Sequence, residues 1–253
     1  MLSLATFSAL FIAFLGATAV PTPFDPIEAL ERRATRQSLY ELHCFPILLL
    51  SLSYDVVKAL DAAGAKGTFF VNECIYNTDE MNRLKYVHDH GHMLGSHTWA
   101  HKDLTTLTWD QIHDEMWRVE LALSRIVGVY PAFMRPPYGN YNDLVLQASA
   151  IRGQSVATWD FDSQDSLGAS VQTSENLYTS TIARHPQNLL ALNHETIEFY
   201  IYWPRSQITN PMLPFAIQKL QAAGYRLVTL ADCVGLPAYQ STSAPGTPDV
   251  SLH

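Results

Sequence analysis

Residues 67–101 have the sequence GTFFVNECIYNTDEMNRLKYVHDHGHMLGSHTWAH, and their pattern of short apolar runs and a helix recurs along the chain. Gly67–Val71 is a short apolar run typical of a buried strand, and residues 79–90 have the spacing of a helix. A second short apolar run then leads directly into His97 and His101. The order strand, helix, strand predicts a βα unit that ends in a histidine pair.

The same alternation continues in both directions along the chain. Strands are predicted at residues 47–50, 67–71, 92–96, 132–134, 155–159, 188–192 and 226–230. Helices are predicted at residues 55–63, 79–90, 108–128, 143–152, 174–184 and 215–223. Short strands that alternate with helices predict an α/β fold with a parallel sheet of about seven strands. The pattern alone leaves an open sheet and a closed barrel as alternatives.

The helix after Thr108 carries the clearest local signals. Thr108 and Gln111 have capping-box spacing. Apolar residues then recur at helical intervals, at Ile112, Met116, Val119, Leu123 and Ile126. This stripe predicts a helix that packs one face against the core.

Length, charge and composition narrow the class of protein. The 253 residues are 47% hydrophobic and 16% charged, which is typical of a globular protein. The formal net charge is −8 and there is no basic patch, which argues against a nucleic-acid partner.

The first residues predict export. Leu4–Leu15 is mostly apolar, and Ala17-Thr18-Ala19 supplies a small-x-small cleavage pattern. An uncleaved anchor helix is the alternative, although the run is short and is followed by prolines. No second span is apparent, so the mature protein is expected to have no transmembrane segment and to be secreted, with retention at the cell wall left open. We expect a monomer.

The predicted organisation has four parts. These are a signal peptide (1–19), a pro-segment or linker (20–38), the main domain (39–236) and a C-terminal tail (237–253). Export favours a disulfide among Cys44, Cys74 and Cys233, but the odd count leaves one thiol over and the pairing open.

The polar clusters share a position relative to the predicted strands. His97 with His101, Arg135, residues 160–165 and His194 each follow a strand. In parallel α/β folds the chemistry gathers beyond the carboxyl ends of the strands, so these residues predict one shared active site. Two imidazoles suit zinc or a similar divalent ion such as cobalt.

These motifs resemble those of the polysaccharide deacetylases with a NodB-type domain, and most closely the fungal chitin deacetylases. The likeness covers about residues 55–250. It rests on His97-Thr-Trp-Ala-His101, Arg135-Pro-Pro-Tyr-Gly139, Asp162-Ser-Gln-Asp165 and Leu190-Ala-Leu-Asn-His194. The resemblance implies a distorted (β/α) barrel and metal-dependent hydrolysis of N-acetyl groups on chitin or a chitooligosaccharide.

The resemblance also implies a role for each site residue. His97 and His101 would hold the metal ion, and Tyr138 would offer its main-chain N–H to the oxyanion. His194 would protonate the leaving amine, and Asp165 would orient His194. Two further roles follow: Leu192 would line the pocket for the acetyl methyl, and Arg135 would pair with the carboxylate that acts as general base. His90 and His92 match no ligand position and are predicted to be packing or surface residues.

The sequence departs from the family in its first motif. TFDDGP, which supplies the base and the third metal ligand, is absent, and no Asp or Glu stands between Glu41 and Asp55. Loss of a general base alone is expected to reduce the rate by about 10²–10⁴-fold. Two smaller departures are Ser166, where many members carry Trp, and the aromatic stretch 199–205, which reads as extra chain and is either an insertion or a platform for sugar rings.

The sequence therefore leaves three interpretations open. The chain is an active deacetylase, an inactive relative that binds glycan or metal, or the product of a mis-assembled gene for an active enzyme. A zinc protease is a poor fit because Thr98 stands where HExxH requires Glu.

Overall fold

The structure is a computed structural model that describes residues 37–42 as main chain, and 52–72, 75–194 and 212–248. The predicted signal peptide, the apolar run 47–50, Cys44, Cys74 and the stretch 199–205 lie outside the described residues. The disulfide therefore stays a prediction, and Cys233 is buried.

Within these ranges the chain forms nine strands. They are β1 (Gln37–Leu42), β2 (Gly67–Val71), β3 (Met93–Ser96), β4 (Val129–Pro131), β5 (Phe133–Met134), β6 (Ser155–Val156), β7 (Phe161–Asp162), β8 (Leu190–His194) and β9 (Tyr239–Thr242).

The same ranges contain seven α-helices. They are α1 (Leu52–Ala62), α2 (Thr78–Asp89), α3 (Trp109–Ile126), α4 (Asp143–Ile151), α5 (Val171–Arg184), α6 (Met212–Ala222) and α7 (Leu230–Val234). Across the described part of the chain, no helix combines the length and the apolar character needed to cross a membrane.

Seven strands form one parallel sheet in the order β6-β5-β3-β2-β1-β8-β7. The α/β class and the seven-stranded sheet are as predicted. Among the described residues, the strand pairing does not join β6 to β7. A separate antiparallel ribbon pairs β4 with β9, so residues 239–242 of the predicted tail pack on the domain.

The first strand lies earlier in the chain than the apolar run 47–50. β1 is an interior strand of the sheet, with β2 on one side and β8 on the other. Its residue Glu41 is in register with Phe70 and His194. The carboxyl end of β1 is therefore at the same edge of the sheet as the ends of β2 and β8.

Helix α3 forms as its sequence predicts. The Thr108 N–H donates to the Gln111 side-chain oxygen at 2.9 Å, which completes the capping box. All five apolar residues of the predicted stripe are buried. Burying each such side chain contributes about 1.5–3 kcal/mol, so this helix is held chiefly by its packing.

One predicted strand is wrong. Residues 226–230 were expected to form the last strand, but Thr229 is the N-cap of α7 and its hydroxyl accepts from the Asp232 N–H at 3.2 Å. Leu227 and Leu230 are buried all the same. Val228 forms a single β-bridge, so the segment is not a full strand and its apolar pattern reflects mainly burial.

Candidate active site

A cavity of about 430 Å³ lies at the carboxyl edge of the parallel sheet. Its lining consists of His97, His101, Arg135, Pro136, Tyr138, Trp159, Asp162, Ser166, Leu167, Leu192 and His194. Six of the seven predicted site residues are in this lining, and the seventh, Asp165, is hydrogen-bonded to His194. The motifs thus converge on one site from segments nearly 100 residues apart.

The histidine turn begins where β3 ends. His97 is buried, and its Nδ1–H donates to the main-chain oxygen of Arg135 at 2.6 Å. A carbonyl can only accept, so the neutral ring carries its lone pair on Nε2, the arrangement usual for a metal-ligating imidazole. The ring centroids of His97 and His101 are 4.7 Å apart.

The two imidazoles fit a divalent cation as two of its ligands. Zinc sites in catalysis need a third protein ligand and an open position. Within the described ranges, no cluster of three His, Cys, Asp or Glu side chains could hold a metal ion. The pair therefore suits zinc or cobalt by its chemistry but does not complete a site by itself.

The Arg135–Gly139 turn forms a second wall of the cavity. The main-chain N–H of Arg135 donates to the main-chain oxygen of Ser96 at 2.9 Å. The buried Arg135 guanidinium lies 5.5 Å from the centre of the Phe70 ring and 5.8 Å from that of the Trp159 ring. Tyr138 has a φ of 60°, in the left-handed region, and its side chain is 65% exposed. Its ring centroid is 4.9 Å from that of His101, so this turn packs directly against the histidine turn.

Gly139 explains why that turn lies so close to Trp159. Its φ is +72°, and a Cβ there would come within 2.8 Å of the Trp159 ring. Only glycine avoids both the strained conformation and the contact.

The Asp165–His194 pair forms the third wall. His194 is the last residue of β8, and Asp165 follows β7 and is 2% exposed. The His194 Nδ1–H donates to Asp165 Oδ1 at 2.8 Å, and the His194 main-chain N–H donates to Oδ2 at 2.5 Å. The carboxylate therefore fixes both the orientation and the tautomer of the ring and leaves Nε2 for proton transfer.

Two lining residues were not identified from the sequence. The sequence pattern places Trp159 at the end of a predicted strand, and Leu167, which is 73% exposed, belongs to no recognised motif. Trp159 follows β6 at the edge where the other site residues gather, and that position is the signal that could have identified it. Leu192 is buried in the lining, two residues before His194 and on the same face of β8.

His90 and His92 lie away from the cavity, as predicted. The Nδ1 of His92 accepts from the N–H of Gly67, the first residue of β2, at 3.1 Å. His90 Nδ1 contacts Asp61 at 2.5 Å. Both imidazoles therefore lie near the amino end of β2, at the opposite edge of the sheet from the cavity.

Comparison with known proteins identifies relatives of this chain. Residues 50–156 match the family model for polysaccharide deacetylase. A chitin deacetylase of Colletotrichum lindemuthianum is 29% identical over 252 residues, covering 90% of this chain and 96% of that one. A chitin deacetylase of Pestalotiopsis sp is 27% identical over 240 residues, covering 89% and 76%.

Solved structures share the fold. The chitin deacetylase of C. lindemuthianum matches with a TM-score of 0.70 at 22% identity, over 83% of this chain and 93% of that chain. A CE4 family pseudoenzyme from Bacillus anthracis matches with a TM-score of 0.66 at 17% identity, over 80% and 66%. The predicted distorted (β/α) barrel of the NodB type is the fold of these neighbours. The chain belongs to the polysaccharide deacetylase family and is, by family, a carbohydrate N-deacetylase.

Proposed function

We propose that the protein is an exported, metal-dependent hydrolase that removes N-acetyl groups from chitin or a related polymer of N-acetylglucosamine. One observation carries the proposal. The imidazoles of His97 and His101 and the Asp165-oriented imidazole of His194 adjoin a single cavity at the carboxyl edge of the sheet. A hydrolase of amides needs an electrophile and a proton donor on either side of the scissile bond, and this arrangement supplies positions for both.

The metal would be held by His97 and His101. When bound, such an ion polarises the amide carbonyl and lowers the pKa of a water molecule. The Arg135 carbonyl that accepts from His97 Nδ1 would keep Nε2 available as the ligand atom.

The proton for the leaving group would come from His194. Its Nε2–H would pass to the amine nitrogen as the C–N bond breaks, while Asp165 holds Nδ1–H and stabilises the charged ring. The main-chain N–H of Tyr138 would donate to the carbonyl oxygen as negative charge develops there. Leu192 would contact the acetyl methyl and exclude longer acyl groups.

No residue of this chain is assigned as the general base. In the family pattern Arg135 pairs with the carboxylate of TFDDGP, and this chain lacks that motif. A second candidate function is therefore a catalytically inactive family member that binds glycan. The absent motif favours it, and an inactive relative has precedent in the B. anthracis pseudoenzyme that shares the fold.

Acetate release from glycol chitin separates the two functions. The exported chain is assayed with added Zn²⁺ or Co²⁺, and zinc binding is measured in parallel by calorimetry. Acetate release that stops when EDTA is added and resumes when Zn²⁺ is restored supports the deacetylase function. Zinc or glycan binding without acetate above background supports the inactive member.

A mis-assembled gene is the third interpretation, and sequencing the transcript tests it. A message that restores TFDDGP near residue 50 and removes the stretch near residue 203 would support it, whereas a message that encodes this chain unaltered would reject it. Export and the monomeric state are tested by detecting the protein in culture medium and by gel filtration.

A further inference from the structure

Glu115 contacts the histidine turn from the core side. This residue lies on α3 and is only 3% exposed. Its Oε2 accepts from the main-chain N–H of Ala100 at 2.6 Å, and its Oε1 pairs with the ammonium of Lys102 at 2.9 Å. Ala100 and Lys102 are the two neighbours of His101, so one carboxylate holds the chain on both sides of that residue.

The turn needs such support because its backbone is strained. Thr98 has a φ of 64° and His101 a φ of 49°, both in the left-handed region. Each non-glycine residue in this region is disfavoured by about 1–2 kcal/mol. Contacts outside the turn must therefore keep both residues in this conformation.

Asp103 supplies a second contact farther along the same turn. Its Oδ2 accepts from the Asn140 side chain at 2.8 Å, which ties the turn to the residue after Gly139. This contact is at the surface, whereas the Glu115 carboxylate is buried. Both acceptors are carboxylates, but only Glu115 is shielded from water, where electrostatic contacts are stronger than at the surface, so Glu115 is the stronger of the two supports.

We propose that Glu115 is a positioning residue that sets His101 for metal binding through Ala100 and Lys102. The inference rests on the proposed function, because it takes His101 as a metal ligand. Partners that orient ligands from outside the coordination sphere typically change metal affinity by about 10–100-fold when they are removed.

Glu120 provides a matched control on the same helix. It is 6% exposed and accepts from the Arg152 guanidinium and from Gln154 Nε2 at 2.5 Å. These partners lie away from the cavity lining. Replacing Glu120 removes a buried carboxylate of the same type and should reduce stability without moving His101.

The experiment measures zinc affinity of the full chain by calorimetry for Glu115→Met, Glu115→Gln and Glu120→Met. Glu115→Met removes both contacts and should weaken zinc binding by about 10–100-fold. Glu115→Gln can still accept from Ala100 and should weaken it less. Glu120→Met should bind zinc as the wild type does even where its Tm falls. Equal affinity in Glu115→Met and wild type, or an equal loss in Glu120→Met, would overturn the proposal.

Hydrogen–deuterium exchange of the metal-free chain separates this proposal from the function on which it rests. Amides of residues 98–102 should exchange faster in Glu115→Met, or in Glu115→Gln if the Met variant does not fold, than in Glu120→Met. Unchanged exchange in these amides counts against Glu115 as a positioning residue. A wild-type chain that binds no zinc, with the exchange difference present, counts against the metal-dependent function and leaves the support of the turn established.

Discussion

Acidification from pH 6.5 to pH 4 should destabilise the protein through one buried imidazole, His92. Burial lowers the pKa of His92 to about 4 from 6.5, and the positive charge of Lys66 lowers it further. Asp61 acts in the opposite direction but does not outweigh them. The groups around the ring are Lys66, Asp61, His90 and the Phe69 ring.

The hydrogen bond from Gly67 explains why the neutral ring is needed. Its N–H donates to His92 Nδ1 at 3.1 Å, so that atom must carry a lone pair. Protonation would place an N–H against an N–H at the first residue of β2. The folded state therefore binds the proton less readily than the unfolded chain.

The direction and size of the effect follow from these two pKa values. Above pH 6.5 both states are neutral at His92 and the stabilisation is fully present. It is lost as pH falls from 6.5 to about 4, because the unfolded chain takes up the proton first. A difference of about 2.5 pKa units corresponds to about 3 kcal/mol, a large part of the 5–15 kcal/mol that stabilises a typical domain.

Urea unfolding at pH 7, 6, 5 and 4 measures this loss in the wild type and in His92→Asn. The Asn side-chain oxygen can accept from Gly67 but does not titrate, so the variant should lose about 3 kcal/mol less across this range. His113, whose pKa is also lowered by burial, contributes to both proteins and cancels in the comparison. The same pH dependence in wild type and variant would refute the reasoning.

Three other substitutions test the site. Asp165→Asn should lower the rate of acetate release by about 10²–10⁴-fold, because His194 loses its orienting carboxylate. Asp160→Asn is the control and should leave the rate unchanged, because the Asp160 carboxylate accepts from the Leu190 N–H outside the cavity lining. Equal rates in the two variants would contradict the prediction. Gly139→Ala should reduce the free energy of unfolding by about 1–3 kcal/mol more than Gly64→Ala. Both glycines have a positive φ, but only at position 139 would the added Cβ clash with the Trp159 ring. Urea unfolding of the two variants measures the difference, and equal losses would contradict the prediction. Leu192→Ala should raise the ratio of kcat/KM for N-propionyl over N-acetyl substrate by about tenfold, and an unchanged ratio would remove Leu192 from the acyl pocket.

Local signals predicted the elements that are decided locally. β2 was predicted with its observed bounds because residues 67–71 form a short apolar run before a helix, and all five are buried in the structure. α3 was predicted because a capping box precedes a regular stripe. The convergence of the site residues could be predicted as well, because each follows a strand of a parallel sheet.

Elements decided by distant contacts could not be predicted. β1 has the sequence QSLYEL and is an interior strand of the sheet, but it is less apolar than residues 47–50, where a strand was predicted instead. β4 and β9 pair across more than 100 residues, and neither is longer than four residues. The contact between Glu115 and Ala100 could not be predicted either, because nothing in the sequence shows that the two residues lie together.

The position of β1 shows which residues of the chain follow it at the cavity edge of the sheet, where the general base would be expected. Glu41 is in register with His194 and Leu42 with Val71, so β1 ends at the edge where the cavity lies. Residues 43–51, HCFPILLLS, contain no carboxylate, and their only metal-binding residue types are His43 and Cys44. In the proposed function His194 with Asp165 would serve as the acid, and residues 43–51 offer no carboxylate to serve as the base. Metal binding and acetate release should for this reason be measured separately, because this chain can retain the first while lacking the second.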